Sequence, residues 1–343
     1  MLQSRTVLEP KALKKALAVI RNFKQDWSGR AVDDDGLIHI ANEAGTRRPL
    51  IWCFNASHEF ERLAAALGSE QPLIGLRSGH MVARGGYRST RLDFKIADIY
   101  YERIREHFPD ARFFIGGNCQ GANTAARLKE CFAVDGIPVL GAFHMESMTL
   151  QPFAGDQVMV YGEQSAKFNP CLSDDALLNT WGSIFRSVEA RALPGEHGRY
   201  FEPDTIGALA EIISEHIADK MDPAASPDPS DIVAELSGHV MSQPIAGSIF
   251  VSVRLSSRQH TGRTTPQGLK LYAFWHCLER LDARNELIDV SGRLYETSIL
   301  LNLQAPDPGI WNLTLYPVLE GAGPVNIAAA RQRGVDMVVP RLS

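Results

Sequence analysis

The stretch RFFIGGNCQGANTAARL, residues 112–128, decides the reading of this chain. Its first half, FFIG, reads as a buried strand, and its second half as a helix of small residues. Between them, Gly117-Asn118-Cys119-Gln120-Gly121 has the form G-x-C-x-G. A turn of this kind needs small flanking residues because strand and helix pass close together, and it holds its central residue in a strained backbone. The central side chain then projects into a cleft, where the following backbone N–H groups face a developing oxyanion. The start of a helix also lowers the pKa of a thiol placed there. Five residues alone would equally fit a small cysteine buried in a glycine turn. Placement between a strand and a helix favours Cys119 as a nucleophile.

Working outward, strand-like and helix-like runs alternate on both sides of this turn. Strands are expected at 49–56, 72–78, 111–117, 138–146, 157–163 and 188–195. Helices are expected at 57–68, 93–108, 122–136 and 201–220, with a short amphipathic helix at 12–23. Such alternation implies a mostly parallel sheet covered by helices on both faces. The stretch from Lys220 to Asp231, with Pro223, Pro227 and Pro229 and no apolar period, reads as a linker. Beyond it the period changes to two: SIFVSVRLSS (248–257), LKLYAFWHCLER (269–280), 294–306 and 309–323 read as strands of a β-sandwich. The expected organisation is a helical extension (1–36), an α/β domain (37–220), a linker (221–231) and an all-β domain (232–343).

The totals exclude several classes. With 45% hydrophobic and 22% charged residues, the 343-residue chain is an ordinary globular protein long enough for two cores. A net charge of −5 with no basic stripe argues against nucleic acid. No apolar run approaches the roughly 18–20 residues of a membrane span. The N-terminus lacks the pattern of a signal peptide. The five cysteines, 53, 119, 131, 171 and 277, are odd in number and contain no CxxC pair. Neither a disulfide framework nor a metal site is expected, which fits free thiols in a reducing cytoplasm. No cofactor motif is visible.

A nucleophile needs a base and a group to orient it. His197, in LPGEHGRYFEP, follows a predicted strand on a glycine-containing loop, at the sheet edge where sites collect in open α/β sheets. His144 is the rival, but it lies inside a strand-like run and reads as structural. The carboxylate that would fix the imidazole tautomer is Glu146 or Glu163, each at the end of a predicted strand.

These residues resemble the α/β-hydrolase thioesterase domains of nonribosomal peptide and polyketide synthases. The resemblance runs from about Leu37 to Ala218, carried by GLIHIANEAGTRRPLIWCFNASHEFERLAAALGSEQPLIGL and IADIYYERIREHFPDARFFIGGNCQGANTAARL. It implies an α/β-hydrolase sheet, an acyl thioester substrate that a carrier protein or CoA would present, and catalysis without a cofactor. Cys119 stands where the family usually has serine. Glu146 matches the family's acid position and His197 its histidine. The oxyanion hole would be formed by the backbone N–H groups of Ala56 and Gln120, although the loop Asn55-Ala56-Ser57 lacks the family's glycines. Only residues 147–156 separate Glu146 from the next strand, where the family has a long helical lid; residues 174–186 or the N-terminal helix would cap the cleft instead. No carrier-protein segment precedes the domain, which implies a free-standing enzyme.

The last hundred residues look like the immunoglobulin-like sandwich appended to some bacterial glycan-biosynthesis proteins. The pattern is carried by VSVRLSS, LKLYAFWH and PDPGIWNLTLYPVLEGAG. Trp275, Tyr295, Trp311 and Tyr316 either fill the sandwich core or stack on a glycan or protein ligand. Two readings of the whole stand beside acyl transfer: a dienelactone-hydrolase-like enzyme, and a non-catalytic recognition protein built on the hydrolase fold.

Overall fold

The computed structural model describes residues 10–79, 82, 90–135, 137, 139–146, 153–165, 185–219, 233–238, 248–257, 268–278, 283–291, 299–319, 323–324 and 334–339. The α/β unit is an eight-stranded sheet. Its strands are β1 (Arg30–Ala31), β2 (His39–Ala41), β3 (Leu50–Phe54), β4 (Leu73–Arg77), β5 (Phe113–Asn118), β6 (Val139–Met145), β7 (Phe153–Gly162) and β8 (Phe185–Leu193). They lie in the order β1-β2-β4-β3-β5-β6-β7-β8. β2 runs antiparallel to both neighbours, and β3 to β8 are mutually parallel. The sheet is mostly parallel, as the alternating pattern predicts.

Among the described residues, five helices cover it: α1 (Pro10–Lys24), α2 (Ser57–Leu67), α3 (Thr90–His107), α4 (Gln120–Val134) and α5 (Ile206–Asp219). Each presents an apolar stripe to the sheet. Ile20 of α1, Ile96 and Tyr100 of α3, and Leu128 and Phe132 of α4 pack against Ile51, Ile74 and Ile115 on one face. Phe60 and Leu63 of α2 and Leu209 and Ile213 of α5 pack against Trp52, Phe114 and Phe143 on the other.

Residues before the expected boundary at 36 also contact the sheet. Arg30–Ala31 pairs with β2, turning through Gly36 at φ 63°, and α1 shares the core of the sheet. β7 begins at Phe153 rather than 157, so the link from Glu146 is shorter than expected. Of the expected cap helix at 174–186, residues 174–184 lie outside the described residues, and Phe185 and Arg186 open β8. Residues 147–152, the linker 221–231 and Tyr295 also lie outside them. No helix among the described residues is long and apolar enough to cross a membrane.

In the C-terminal region, the described residues form strands. β9 (Val233–Gly238), β10 (Ser248–Ser256) and β13 (Ile299–Gln304) form one antiparallel sheet. β11 (Leu269–Cys277), β12 (Ala283–Asp289), β14 (Gly309–Leu319), β15 (Gly323–Pro324) and β16 (Val335–Val339) form the other. The two share a core in which Val251 and Leu301 meet Leu271, Trp275 and Trp311. Along β11, residues 271, 273 and 275 face this core, while Tyr272 and Phe274 join the core of the α/β unit, together with Tyr316 and Val318 of β14. Both faces of that sheet are therefore buried. Trp275, Trp311 and Tyr316 are at most 1% exposed, which rules them out as stacking platforms for a sugar.

Candidate active site

β5 delivers the elbow. Cys119 sits at φ 50°, ψ −116°, a backbone that non-glycine residues rarely adopt and that costs roughly 1–3 kcal/mol. The flanking glycines make it feasible. A Cβ at Gly117 would lie 2.6 Å from the Gly121 backbone, and one at Gly121 would lie 2.1 Å from the Cys53 carbonyl oxygen. The Cys119 N–H donates to the Met145 carbonyl at 2.9 Å, tying the elbow to the end of β6. Cys119 is half-buried, and Gln120 opens α4. The N–H of a first helical residue has no intrahelical acceptor, so that of Gln120 suits a developing negative charge.

Glu146 follows β6 on the same edge. It too has a left-handed backbone, φ 51°, and its N–H donates to Val160 of β7 at 3.0 Å. Its carboxylate is buried and accepts from His197 Nδ1 through Oε2. Oε1 accepts from the hydroxyls of Tyr200 and Ser165. These hydroxyls are themselves 2.9 Å apart. His197 is carried on the loop between β8 and α5, which turns through Gly195 (φ 109°) and Gly198 (φ 85°). Its side chain is 36% exposed, so the ring is reachable from outside.

The structure thus brings Glu146 to His197 and leaves Glu163 exposed. His144 is buried against Lys129, whose Nζ lies 2.8 Å from Nε2, and burial holds the imidazole well below its usual pKa. Its burial inside β6 keeps it from the surface. Ala56 does not fit the oxyanion role. Its N–H, at 3.0 Å, and that of Asn55, at 2.8 Å, both donate to Glu59 Oε2. The loop has no glycine with which to turn those donors outward. Burial pushes the Glu59 carboxyl up, against the pull of these hydrogen bonds.

Tyr200, Ser165 and Glu59 escape the sequence reading. Tyr200 lies three residues beyond His197 and Ser165 on the loop after β7, and neither position carries a pattern that ties it to Glu146. Glu59 has a signal, being a carboxylate in the first turn of a helix, where capping is common.

No family model and no curated protein sequence matches this chain. Solved structures do resemble it. The NocB thioesterase domain from the nocardicin cluster is 15% identical, with 53% of this chain and 99% of that one covered, at a TM-score of 0.42. YbtT, a type II thioesterase from the yersiniabactin NRPS/PKS pathway, is 11% identical, with 54% and 100% covered, at 0.41. The surfactin thioesterase domain SrfTE is 10% identical, with 52% and 94% covered, at 0.38. At these levels, function has to be argued from the site itself.

Proposed function

We propose that this chain is a thioesterase-type acyl-transfer enzyme in which Cys119 is the nucleophile, His197 the general base and Glu146 the group that orients it. The observation that carries this reading is the hydrogen bond from His197 Nδ1 to buried Glu146, beside a cysteine held in an elbow on the same sheet edge. With Nδ1–H held by the carboxylate, Nε2 is the nitrogen that accepts the thiol proton.

The Cys119 sulfur attacks the carbonyl carbon of an acyl thioester as its proton passes to His197. The oxyanion is received at the start of α4, where Gln120 supplies an N–H. Collapse breaks the bond to the departing sulfur, which takes the proton from His197, and leaves the acyl group on Cys119. Water or an acceptor then attacks, gives its proton to His197, and regenerates the thiol. Because the acyl-enzyme is itself a thioester, it keeps the activation of the donor and suits transfer to an amine or hydroxyl as well as hydrolysis. The donor would be presented by a carrier protein or CoA.

Replacing the sulfur by oxygen separates formation of the acyl-enzyme from its use. Cys119→Ser is expected to still acylate while shifting the ratio of hydrolysis to transfer in a panel of acyl thioesters and acceptors. An unchanged ratio and rate would contradict the assignment. One observation favours a non-catalytic recognition protein, namely the occupied N–H of Ala56. Thiol titration distinguishes the two: an ordinary cysteine pKa of about 8.5 at Cys119 fits recognition, and a depressed one fits the enzyme.

A further inference from the structure

Beneath the elbow lies a set of hydrogen bonds that the triad does not use. Glu59, in the first turn of α2 and 7% exposed, accepts through Oε2 from the N–H groups of Asn55 and Ala56. Through Oε1 it accepts from Asn118 Nδ2 at 3.2 Å. The Asn118 carbonyl accepts in turn from Asn55 Nδ2 at 2.5 Å, and Asn55 Oδ1 accepts from Ser78 Oγ at 2.5 Å. The ends of β3, β4 and β5 and the start of α2 are joined in this way around Asn118, the residue before Cys119.

A helix cap needs only the bond from the Glu side chain back to the N-cap N–H. The reach across to Asn118, on a neighbouring strand, does nothing for α2. It does fix the Asn118 amide, whose Oδ1 is buried without a partner. A carboxylate with two acceptor oxygens is what lets three donors from two strand ends converge on one side chain.

From this geometry we infer that Glu59 is a positioning residue for Cys119. Through Asn118 it holds the elbow in its left-handed backbone, and through Asn55 and Ala56 it locks the facing loop to that elbow. The inference rests on the acyl-transfer reading for its purpose, and its test does not need that reading to hold. With the N–H of Ala56 committed to this clasp, the start of α4 is left to receive the oxyanion.

The test is the rate at which iodoacetamide alkylates Cys119, read by peptide mass spectrometry with no substrate present. At alkaline pH, where both carboxyls are ionised, Asn118→Asp sets two carboxylates against each other and is expected to slow alkylation about tenfold or more, as for loss of a charge-assisted hydrogen bond. Adding Glu59→Gln to that variant supplies an N–H donor to the new carboxylate and is expected to restore the rate to within about threefold. If Asn118→Asp fails to fold, Glu59→Ala removes the acceptor without repulsion and is expected to slow alkylation to a similar degree. A rate unchanged in both single variants, or no recovery in the double variant, would overturn the inference. Formation of an acyl-enzyme by the wild type is measured separately, so its failure would sink acyl transfer and leave the clasp standing.

Discussion

His197 Nδ1 donates to Glu146 Oε2 across 51 residues of sequence, and the two side chains meet at the sheet edge where Asn118 ends β5 and Cys119 follows it. The acceptor is buried and the imidazole is a third exposed. An imidazole held by a buried carboxylate and partly exposed to solvent is what the proposed general base needs. Replacing Glu146 by Gln is therefore expected to cut the acylation rate by roughly 10²–10⁴-fold. Glu163→Gln, at an exposed side chain, should leave it within about twofold. Rapid-quench acylation kinetics compare the two directly, and equal losses would contradict the choice of acid. Tyr200→Phe, which removes one hydroxyl from Oε1, is expected to lower the rate about tenfold with the fold intact.

Gly121 is a steric requirement of the elbow. A Cβ there would meet the Cys53 carbonyl oxygen at 2.1 Å, and backbone cannot move aside as a flexible side chain can. Gly121→Ala is expected to cost about 3 kcal/mol in denaturant unfolding, with acylation lost. Gly207→Ala, in α5, where a Cβ meets nothing within 4 Å, is the control and should be neutral or stabilising.

Lys24 is fully buried and its Nζ has no hydrogen-bond partner; burial brings its pKa down to about 7 from 10.5. Between those two pH values the unfolded chain holds the proton that the folded chain releases, so this group makes stability rise with pH across that window. Lys24→Met is expected to stabilise the protein at pH 7, on the order of 3 kcal/mol, with the advantage shrinking toward pH 10.5. Thermal unfolding over a pH series checks the sign; an advantage that grows with pH would contradict it.

The two units share a core. Tyr272, Phe274, Tyr316 and Val318 from the β region pack with Tyr100 and Phe132 of the α/β unit. A single calorimetric transition is expected for the whole chain, and Phe274→Asp should split it into two. Two transitions in the wild type would show that the units unfold independently.

What was legible in the sequence was whatever carried a long period or a strong steric rule. Gly117 and Gly121 mark the elbow because a Cβ at the first would strike α4 and one at the second would strike β3, and the alternation of apolar runs gives the parallel sheet. β1 is two residues long and shows no period, so from sequence alone the sheet starts late. β12, β15 and β16 carry no clear signal either; two of them are five residues or shorter. In LKLYAFWHC both faces are apolar because one meets the sandwich core and the other the α/β unit, so the burial of Tyr272 and Phe274 between domains left no distinct mark. Strand ends pointed to His197 and to both Glu146 and Glu163, and only the family resemblance separated the two carboxylates. Ala56 could not be judged this way, since whether a backbone N–H is free depends on a carboxylate three residues away. Tyr200 and Ser165 reach Glu146 only through the fold, from separate loops.

The central claim is that Cys119 takes the acyl group. Incubating the protein with a panel of acyl thioesters, quenching in acid and mapping the peptides by mass spectrometry tests it most directly. The account predicts an acyl adduct on the peptide containing Cys119, absent in Cys119→Ala and slow to form in Glu146→Gln. An adduct on another residue, or turnover of the thioester undiminished in Cys119→Ala, would contradict it.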